Sequence, residues 1–513
     1  MNGVVVFVIL SSVFGVKLSI EPKHPVDQYG RRLVFHGVNA AFKLPPYLPQ
    51  TDSFDPQLSI SSEDIVFMQQ WGFNLVRFAI FWEAVEIQPG VYNYTYLAQV
   101  NSIINTLGKA GIYTVLDSHQ DLFSRRFCGE GMPFFYTPPV NHKCDAYWFG
   151  GVFELMGLCK SMNSYNFTID SNQNPEISQC LSHNFELYYM SPEVNSIFYN
   201  FYNNQTLLLA YKNFWKAVSS TLGSNPYIIA YDLLNEPWPG GFYEFPEYLV
   251  PGVTDHTYLQ DFYFNLSQII RPNTQIPFLA IEPTQLPDTM SKDIFPVGFT
   301  SLPDKSILND HSYCCEIGLD MCVNGEPSYE NATTVCRAFH KRKVEVRSLD
   351  AERLGVGLVF TEFGACSGSA ACVAEIEGAL DAFDSKALSW AYWQYKGFGD
   401  FTTTGSETEG LWYQNGTLQI NKVKALSRTY FKATQGSPIS FEFNNGTFVG
   451  VFELNSTISM PTEIYVNLEM WYPNGVLVQA SRKGAKISVG VNFVSVLFVS
   501  GSGETRITIV PAD

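Results

Sequence analysis

The sequence predicts an α/β protein, a (β/α)8 TIM barrel followed by a C-terminal antiparallel β-sandwich domain. Three observations carry this. Eight short apolar runs alternate with amphipathic helical stretches up to about residue 430. The C-terminal ends of those runs are polar, where barrels place a shared site. Beyond residue 430 the pattern changes to period-two alternation broken by Gly, Asn and Pro turns.

In chain order, residues 4–16 form an apolar run too short to span a bilayer and suited to a signal-peptide core. Residues 1–19 are therefore expected to be a leader, cleaved between Gly15 and Ser19. The barrel is expected over 20–432. Its strand runs are RLVFHGVN (32–39), FNLVRFAI (73–80), YTVLDSHQ (113–120) and IIAYDLLNEP (228–237). PFLAIEP (277–283), SILNDHSY (306–313), GLVFTEFG (357–364) and LSWAYWQY (388–395) complete the set. Between them, SSEDIVFMQQWG opens on a Ser-x-x-Asp helix-start signal and YLAQVNSIINTLGKAG ends on a glycine stop. A doubly wound sheet is the alternative, but no GxGxxG follows an early strand. An insertion over about 121–200, too long for an ordinary loop, predicts a disulfide-stapled wall beside the cleft. The sandwich is expected over 433–513, with the boundary near KATQGSP.

A chain of 513 residues is long enough for two domains. Its net charge of -17 argues against nucleic acid and against electrostatic adhesion to anionic lipid. No stretch after the leader is long and apolar enough for a membrane span, so an integral membrane protein is not expected. The 10 cysteines behind a leader predict disulfides, with Cys314 and Cys315 bonded to different partners, Cys322 and Cys336. Their spacing does not fit zinc. Asn93, Asn166, Asn204, Asn265, Asn331, Asn415, Asn445 and Asn455 each begin a glycosylation sequon. Together these features predict export to the cell exterior or to a lysosomal or digestive lumen.

Glu236 in NEP and Glu362 in TEFG each end an apolar strand, the fourth and the seventh. Strands four and seven face each other across a closed barrel. Two carboxyl groups so placed can hydrolyse a glycosidic bond with retention. Asn235 can hydrogen-bond a sugar 2-hydroxyl, and Pro237 is expected to hold Glu236 extended. Taken blandly, NEP is a turn after a strand. Arg77, a cation on an apolar strand, would keep Glu362 ionised or serve as a structural ion pair. His311 and Tyr313 could position the nucleophile. Asp117, His119 and Asp121 look like a metal motif with no completing partner, and suit sugar hydroxyls better. Trp393 offers a flat face to a sugar ring. His36 and Asn39 are read at the end of strand one, and Glu282 as structural or peripheral.

FNLVRFAI, LLNEP, HSY, TEFG and AYWQY, in that order, resemble glycoside hydrolase family 5, the retaining clan with acid and nucleophile on strands four and seven. LDSHQD, NAAFKLPP, the insertion and the sandwich are similar to its endoglycoceramidases. The resemblance implies Glu236 as acid/base and Glu362 as nucleophile. It implies Asp117, Asn235, Tyr313 and Trp393 against the sugar, with Lys43 and His119 close by. It also implies a glycosphingolipid substrate, glycan plus ceramide, presented in a membrane or micelle. The segments 131–140, 146–157 and 238–252 would then form an apolar acceptor side. No cofactor is implied, since acid, base and nucleophile all come from the protein. Galactosylceramide- or steryl-glucoside-specific relatives, a cellulase-like endoglucanase and a non-catalytic binding protein are the alternatives.

Overall fold

The computed structural model describes residues 19–512 apart from Pro22, 138–141, Asn184, 275–277, 287–292, 318–320, Asn324 and 403–408. The expected leader lies outside the described residues but for its last position. The barrel strands are His36–Ala40 (β1), Leu75–Ile80 (β2), Tyr113–Ser118 (β3), Ile228–Asp232 (β4), Phe278–Ile281 (β5), Ser306–Ser312 (β6), Gly357–Phe363 (β7) and Ser389–Tyr392 (β8). They pair in sequence order, all parallel, and β8 closes on β1 through Ala391 and Gly37.

Side chains two residues apart share a face of a strand, and this periodicity builds the interior in layers. Leu75, Tyr113, Val115, Ala230, Phe278, Ala280 and Ala391 make an apolar layer. The next inward positions towards the C-terminal ends are Arg77, Asp117, Asp232, Glu282 and, on β6, Asn309 and His311. All six are buried. One alternation therefore supplies both the floor and the polar site above it.

Helices cover the barrel. Ser61 caps the helix Ser62–Gln70 in a reciprocal capping box with Asp64. The helix Arg337–Leu354 stops at Gly355 in the left-handed region, φ 74°. Among the described residues no helix is long and apolar enough to cross a membrane. Five disulfides use all ten cysteines. Cys314 pairs with Cys336 and Cys315 with Cys322. Cys128–Cys180 and Cys144–Cys159 staple the insertion.

Beyond the barrel, two antiparallel sheets enclose a second core of Phe431, Phe441, Phe448, Phe452, Ile507 and Ile509. The larger sheet also takes in Ser19–Glu21, His24–Val26 and Arg32–Leu33. Leu33 pairs with Ala433, so the first predicted run is two strands with different partners. His36 accordingly starts β1 and does not end it. Its ring lies 4.2 Å from Trp390 and 3.7 Å from Tyr430, stacked on both at the joint between barrel and sandwich. The fourth run is also shorter than predicted. β4 ends at Asp232, and Asn235 and Glu236 stand on the loop beyond it.

Candidate active site

Arg77 sits at the centre of the polar layer. Its Nη1 donates to Glu362 Oε1 at 2.5 Å and to Asn39 Oδ1 at 3.2 Å. Nη2 donates to Asn235 Oδ1 at 2.8 Å and Glu282 Oε1 at 3.2 Å, and lies 3.2 Å from Asp117 Oδ1. Nε donates to Asp232 Oδ2 at 2.9 Å. Burial works against its charge, but Asp117, Asp232, Glu362 and Glu282 outweigh it and hold the guanidinium well above its ordinary pKa.

Glu362 is almost fully buried. Tyr313 donates its hydroxyl to Oε2 at 2.8 Å, opposite Arg77 on Oε1. Burial pushes the Glu362 carboxyl up, His311 and Arg77 pull it down, and the charge of Glu236 adds to the rise. His311 stands between the two glutamates. Its Nδ1 lies 2.6 Å from Glu236 Oε1 and 3.5 Å from Glu362 Oε2. One oxygen from each glutamate and a ring nitrogen of His311 lie within 4.8 Å of one another. Retaining glycosidases hold their carboxyl pair about 5–5.5 Å apart and inverting ones about 6.5–9.5 Å, and an approach of the nearest oxygens to within 4.8 Å lies towards the shorter range.

Glu236 departs from expectation in its backbone. It has φ 41°, in the left-handed region, where an extended residue before Pro237 was predicted. Two contacts hold it there. Its N–H donates to Glu282 Oε2 at 2.8 Å, and Gln120 Nε2 donates to its carbonyl at 3.2 Å. Strained backbone of this kind persists only where its surroundings over-determine it. The Asn235 amide is held as well, donating to the Gln120 carbonyl at 3.0 Å. The amide group has a second N–H to give, for which no protein acceptor appears among the described residues.

Asp117 Oδ2 meets His119 Nδ1 at 2.8 Å. Burial lowers the His119 pKa, but Asp117 and Asp121 outweigh it and raise the ring to about 9. The His119 ring stacks on Trp393 at 5.2 Å and 14°. Trp393 donates its indole N–H to Glu409 Oε2 at 3.1 Å. Lys43 lies 4.9 Å above the same indole. Its ammonium is engaged by Asp121 at 2.7 Å, Asp400 at 3.1 Å and the Thr402 hydroxyl. His119, Asp121 and Glu130 do form a group with metal-ligand spacing. The Lys43 ammonium, 3.7 Å from Glu130 and 2.7 Å from Asp121, supplies positive charge to it.

Every predicted site residue therefore lies in one connected cluster: Lys43, Arg77, Asp117, His119, Asn235, Glu236, His311, Tyr313, Glu362 and Trp393. Sequence reasoning missed Asp232, Asn309, Glu130, Asp400, Thr402 and Glu409, and placed Glu282 outside the site. For Asp232, Glu282 and Asn309 the signal was available: Asp232 pairs with Asp117 across the ladder, and Glu282 and Asn309 stand two residues from Ala280 and His311 on the same inward faces. Glu130, Asp400, Thr402 and Glu409 reach the cluster from loops, where no periodicity points inward.

The closed barrel with two facing glutamates on its C-terminal rim defines a carbohydrate-bond hydrolase. The chain belongs to glycoside hydrolase family 5. Residues 26–399 match cellulase (glycosyl hydrolase family 5), and 428–509 match the glycoside hydrolase family 5 C-terminal domain. It is 30% identical over 480 residues to an endoglycoceramidase of Hydra vulgaris, covering 90% of this chain and 82% of that one. A Cyanea nozakii endoglycoceramidase is 29% identical over 474 residues, covering 90% and 86%. The structure of endo-glycoceramidase II from Rhodococcus sp. shares the fold, with TM-score 0.72 and 23% identity over 96% of this chain and all of that one.

Proposed function

We propose that this glycoside hydrolase is a secreted, retaining endo-β-glycosidase that cleaves intact oligosaccharide from the ceramide of glycosphingolipids by double displacement. The observation that carries the mechanism is the spacing of Glu236 and Glu362 around His311, within 4.8 Å. Glu362 attacks the anomeric carbon while Glu236 gives its proton to the ceramide oxygen and the C–O bond breaks. A glycosyl ester on Glu362 results. Glu236 then takes a proton from water, whose oxygen attacks the anomeric carbon and frees the sugar and Glu362. Asp117, Asn235, Tyr313 and Trp393 contact the sugar beside the scissile bond. His119 and Lys43 fix Trp393 and the surrounding loops.

The substrate class is supported by the relatives, named endoglycoceramidases, that match 90% of the chain. An apolar edge on the insertion supports it too. Trp148, Leu155 and Met156 are 83%, 91% and 64% exposed. Their segment is tied to Tyr243, in the loop that follows Glu236, by the Phe149 N–H on its carbonyl at 3.2 Å and by the Phe153 ring, 5.5 Å from its ring. An acid donates towards the leaving group, so an edge seated on the loop beyond the acid suits the aglycone side. Water-exposed apolar clusters are uncommon and mark contact surfaces. Secretion is supported by the disulfides, the leader-like run and eight sequon asparagines, none of them buried.

The test is incubation with a ganglioside and with soluble cellulose, followed by mass spectrometry. Intact oligosaccharide and free ceramide are expected. Cello-oligosaccharides with untouched ganglioside would overturn the substrate class and keep both glutamates. Cleavage of galactosylceramide or a steryl glucoside alone would place the chain with those specificities.

A further inference from the structure

Glu282 is fully buried one residue past β5 and belongs to neither half of the carboxylate pair. Its two oxygens divide their work. Oε2 accepts the main-chain N–H of Glu236 at 2.8 Å. His311 Nε2 hydrogen-bonds the Thr361 hydroxyl at 3.2 Å and lies in charge contact with Oε1 at 3.3 Å, and the other ring nitrogen, Nδ1, lies 2.6 Å from Glu236 Oε1. Arg77 and Asn309 also donate to Oε1, at 3.2 and 3.1 Å. A carboxylate accepts these three bonds and turns negative charge towards the His311 ring, and an amide of the same shape does neither in full.

We propose that Glu282 is the positioning residue of the acid/base step, holding Glu236 by its main chain directly and by its side chain through His311. This rests on the assignment of Glu236 as the acid/base. The charge of Glu282 favours the imidazolium form of His311, in which both ring nitrogens are donors. Nδ1–H then donates to Glu236 Oε1, and the proton of Glu236 sits on Oε2, free for the leaving oxygen. A neutral ring bonded through Nε2–H would instead present a bare Nδ1, which accepts the Glu236 proton and turns it away from the substrate. When Glu236 gives its proton to the glycosidic oxygen, the resulting carboxylate still receives the Nδ1–H bond. When it takes a proton from water in the second half-reaction, the same bond returns it to its first state. Burial opposes the His311 charge, but Glu282, Glu362 and the bonds to Glu236 and Glu282 raise its pKa well above the ordinary value. Burial likewise opposes ionisation of Glu282, and His311, Arg77 and the Glu236 N–H outweigh it.

The experiment measures kcat/KM, which reports the first half-reaction, for Glu282→Gln and Glu282→Asp on two substrates with one glycan. Lactosylceramide has a poor leaving group that needs the acid, and 2,4-dinitrophenyl β-lactoside has a good one that does not. Glu282→Gln is expected to lose about 100-fold on lactosylceramide, within the usual range of general acid catalysis. On the aryl lactoside the loss should stay within about threefold, because no proton transfer is needed there. Glu282→Asp keeps the charge and should recover part of the lactosylceramide rate. Equal loss on both substrates, or no loss on either, would overturn the proposal. If Glu282→Gln does not fold, the same selectivity is read from Glu282→Asp, and equal loss there overturns it. Wild type that cleaves neither substrate would instead refute the proposed function.

Discussion

Arg77 offers one positive charge to four carboxylates, and the way that charge is shared decides which acid is ionised. Asp232 and Glu282 adjoin each other. Burial and the Glu282 charge push the Asp232 carboxyl well up, against the pull of Arg77. Glu362 has Arg77 on one oxygen and Tyr313 on the other. Hydrogen bonds to a charged group contribute about 1.5–3 kcal/mol. Tyr313→Phe should therefore lower kcat/KM by about 10- to 100-fold. Because burial raises the Glu362 carboxyl, activity should fall with acid above the ordinary carboxylate range. Loss of the tyrosine bond to the ionised form should move that limb to still higher pH. An unmoved acidic limb in a pH–rate profile would exclude the nucleophile role assigned to this oxygen. Glu236→Ala should abolish cleavage of natural lipid and spare aryl glycosides in the first step; equal loss on both would refute the acid role. The two glutamates were legible in the sequence because a charge at the end of an apolar strand is rare without a purpose. The backbone of Glu236 was not. The Pro237 rule concerns local sterics, and the contacts that set φ come from Glu282 and Gln120, distant in sequence.

At the scale of elements, all eight barrel strands were readable from their apolar runs, but their ends were not. Leu233 and Leu234 prolong the fourth run past the last ladder pair, Asp232 with Asp117. They are buried by packing, so hydrophobicity continues where pairing stops. The insertion was readable as a disulfide-stapled segment and not as a presented surface. Its Cys144–Cys159 bridge closes a loop of 15 residues, which constrains the unfolded chain by about 3 kcal/mol. Within that loop Phe153 packs inward on Tyr243 while Trp148, Leu155 and Met156 face out. If this edge meets the lipid phase, Trp148→Ser with Leu155→Ser should lower the rate on glycolipid in phospholipid vesicles by tenfold or more, since two buried apolar side chains contribute about 1.5–3 kcal/mol each. The rate on a soluble aryl lactoside should not change. A parallel loss on both substrates would assign these side chains to the fold of the cleft.

At the scale of the whole molecule, the joint between barrel and sandwich is the part least visible in the sequence. Period-two alternation beyond residue 430 announced the second sheet pair. Nothing local revealed that Arg32 and Leu33 complete it, because their partners are Thr434 and Ala433. Tyr430 donates to the Gly72 carbonyl at 2.8 Å and Tyr465 to that of Gln70 at 2.7 Å, fixing the sheet to the end of a barrel helix. Between Trp390 and Tyr430 lies His36, and neither of its ring nitrogens has a hydrogen-bond partner among the described residues. Burial, with the charge of Arg428 adding to it, lowers its pKa well below the ordinary value. The folded protein therefore keeps this ring neutral, while the unfolded chain takes up a proton near pH ~6.5. Below that pH the unfolded state binds more protons, so stability falls with acidity, by about 1.4 kcal/mol per pH unit from this group. His36→Phe keeps an aromatic ring in the stack and removes the titration. Thermal melts between pH 7 and pH 5, about the unfolded histidine value, should then show a shallower loss of Tm for the variant than for wild type. Parallel slopes would mean that the joint opens to water before the barrel unfolds, so that His36 charges without unfolding the chain.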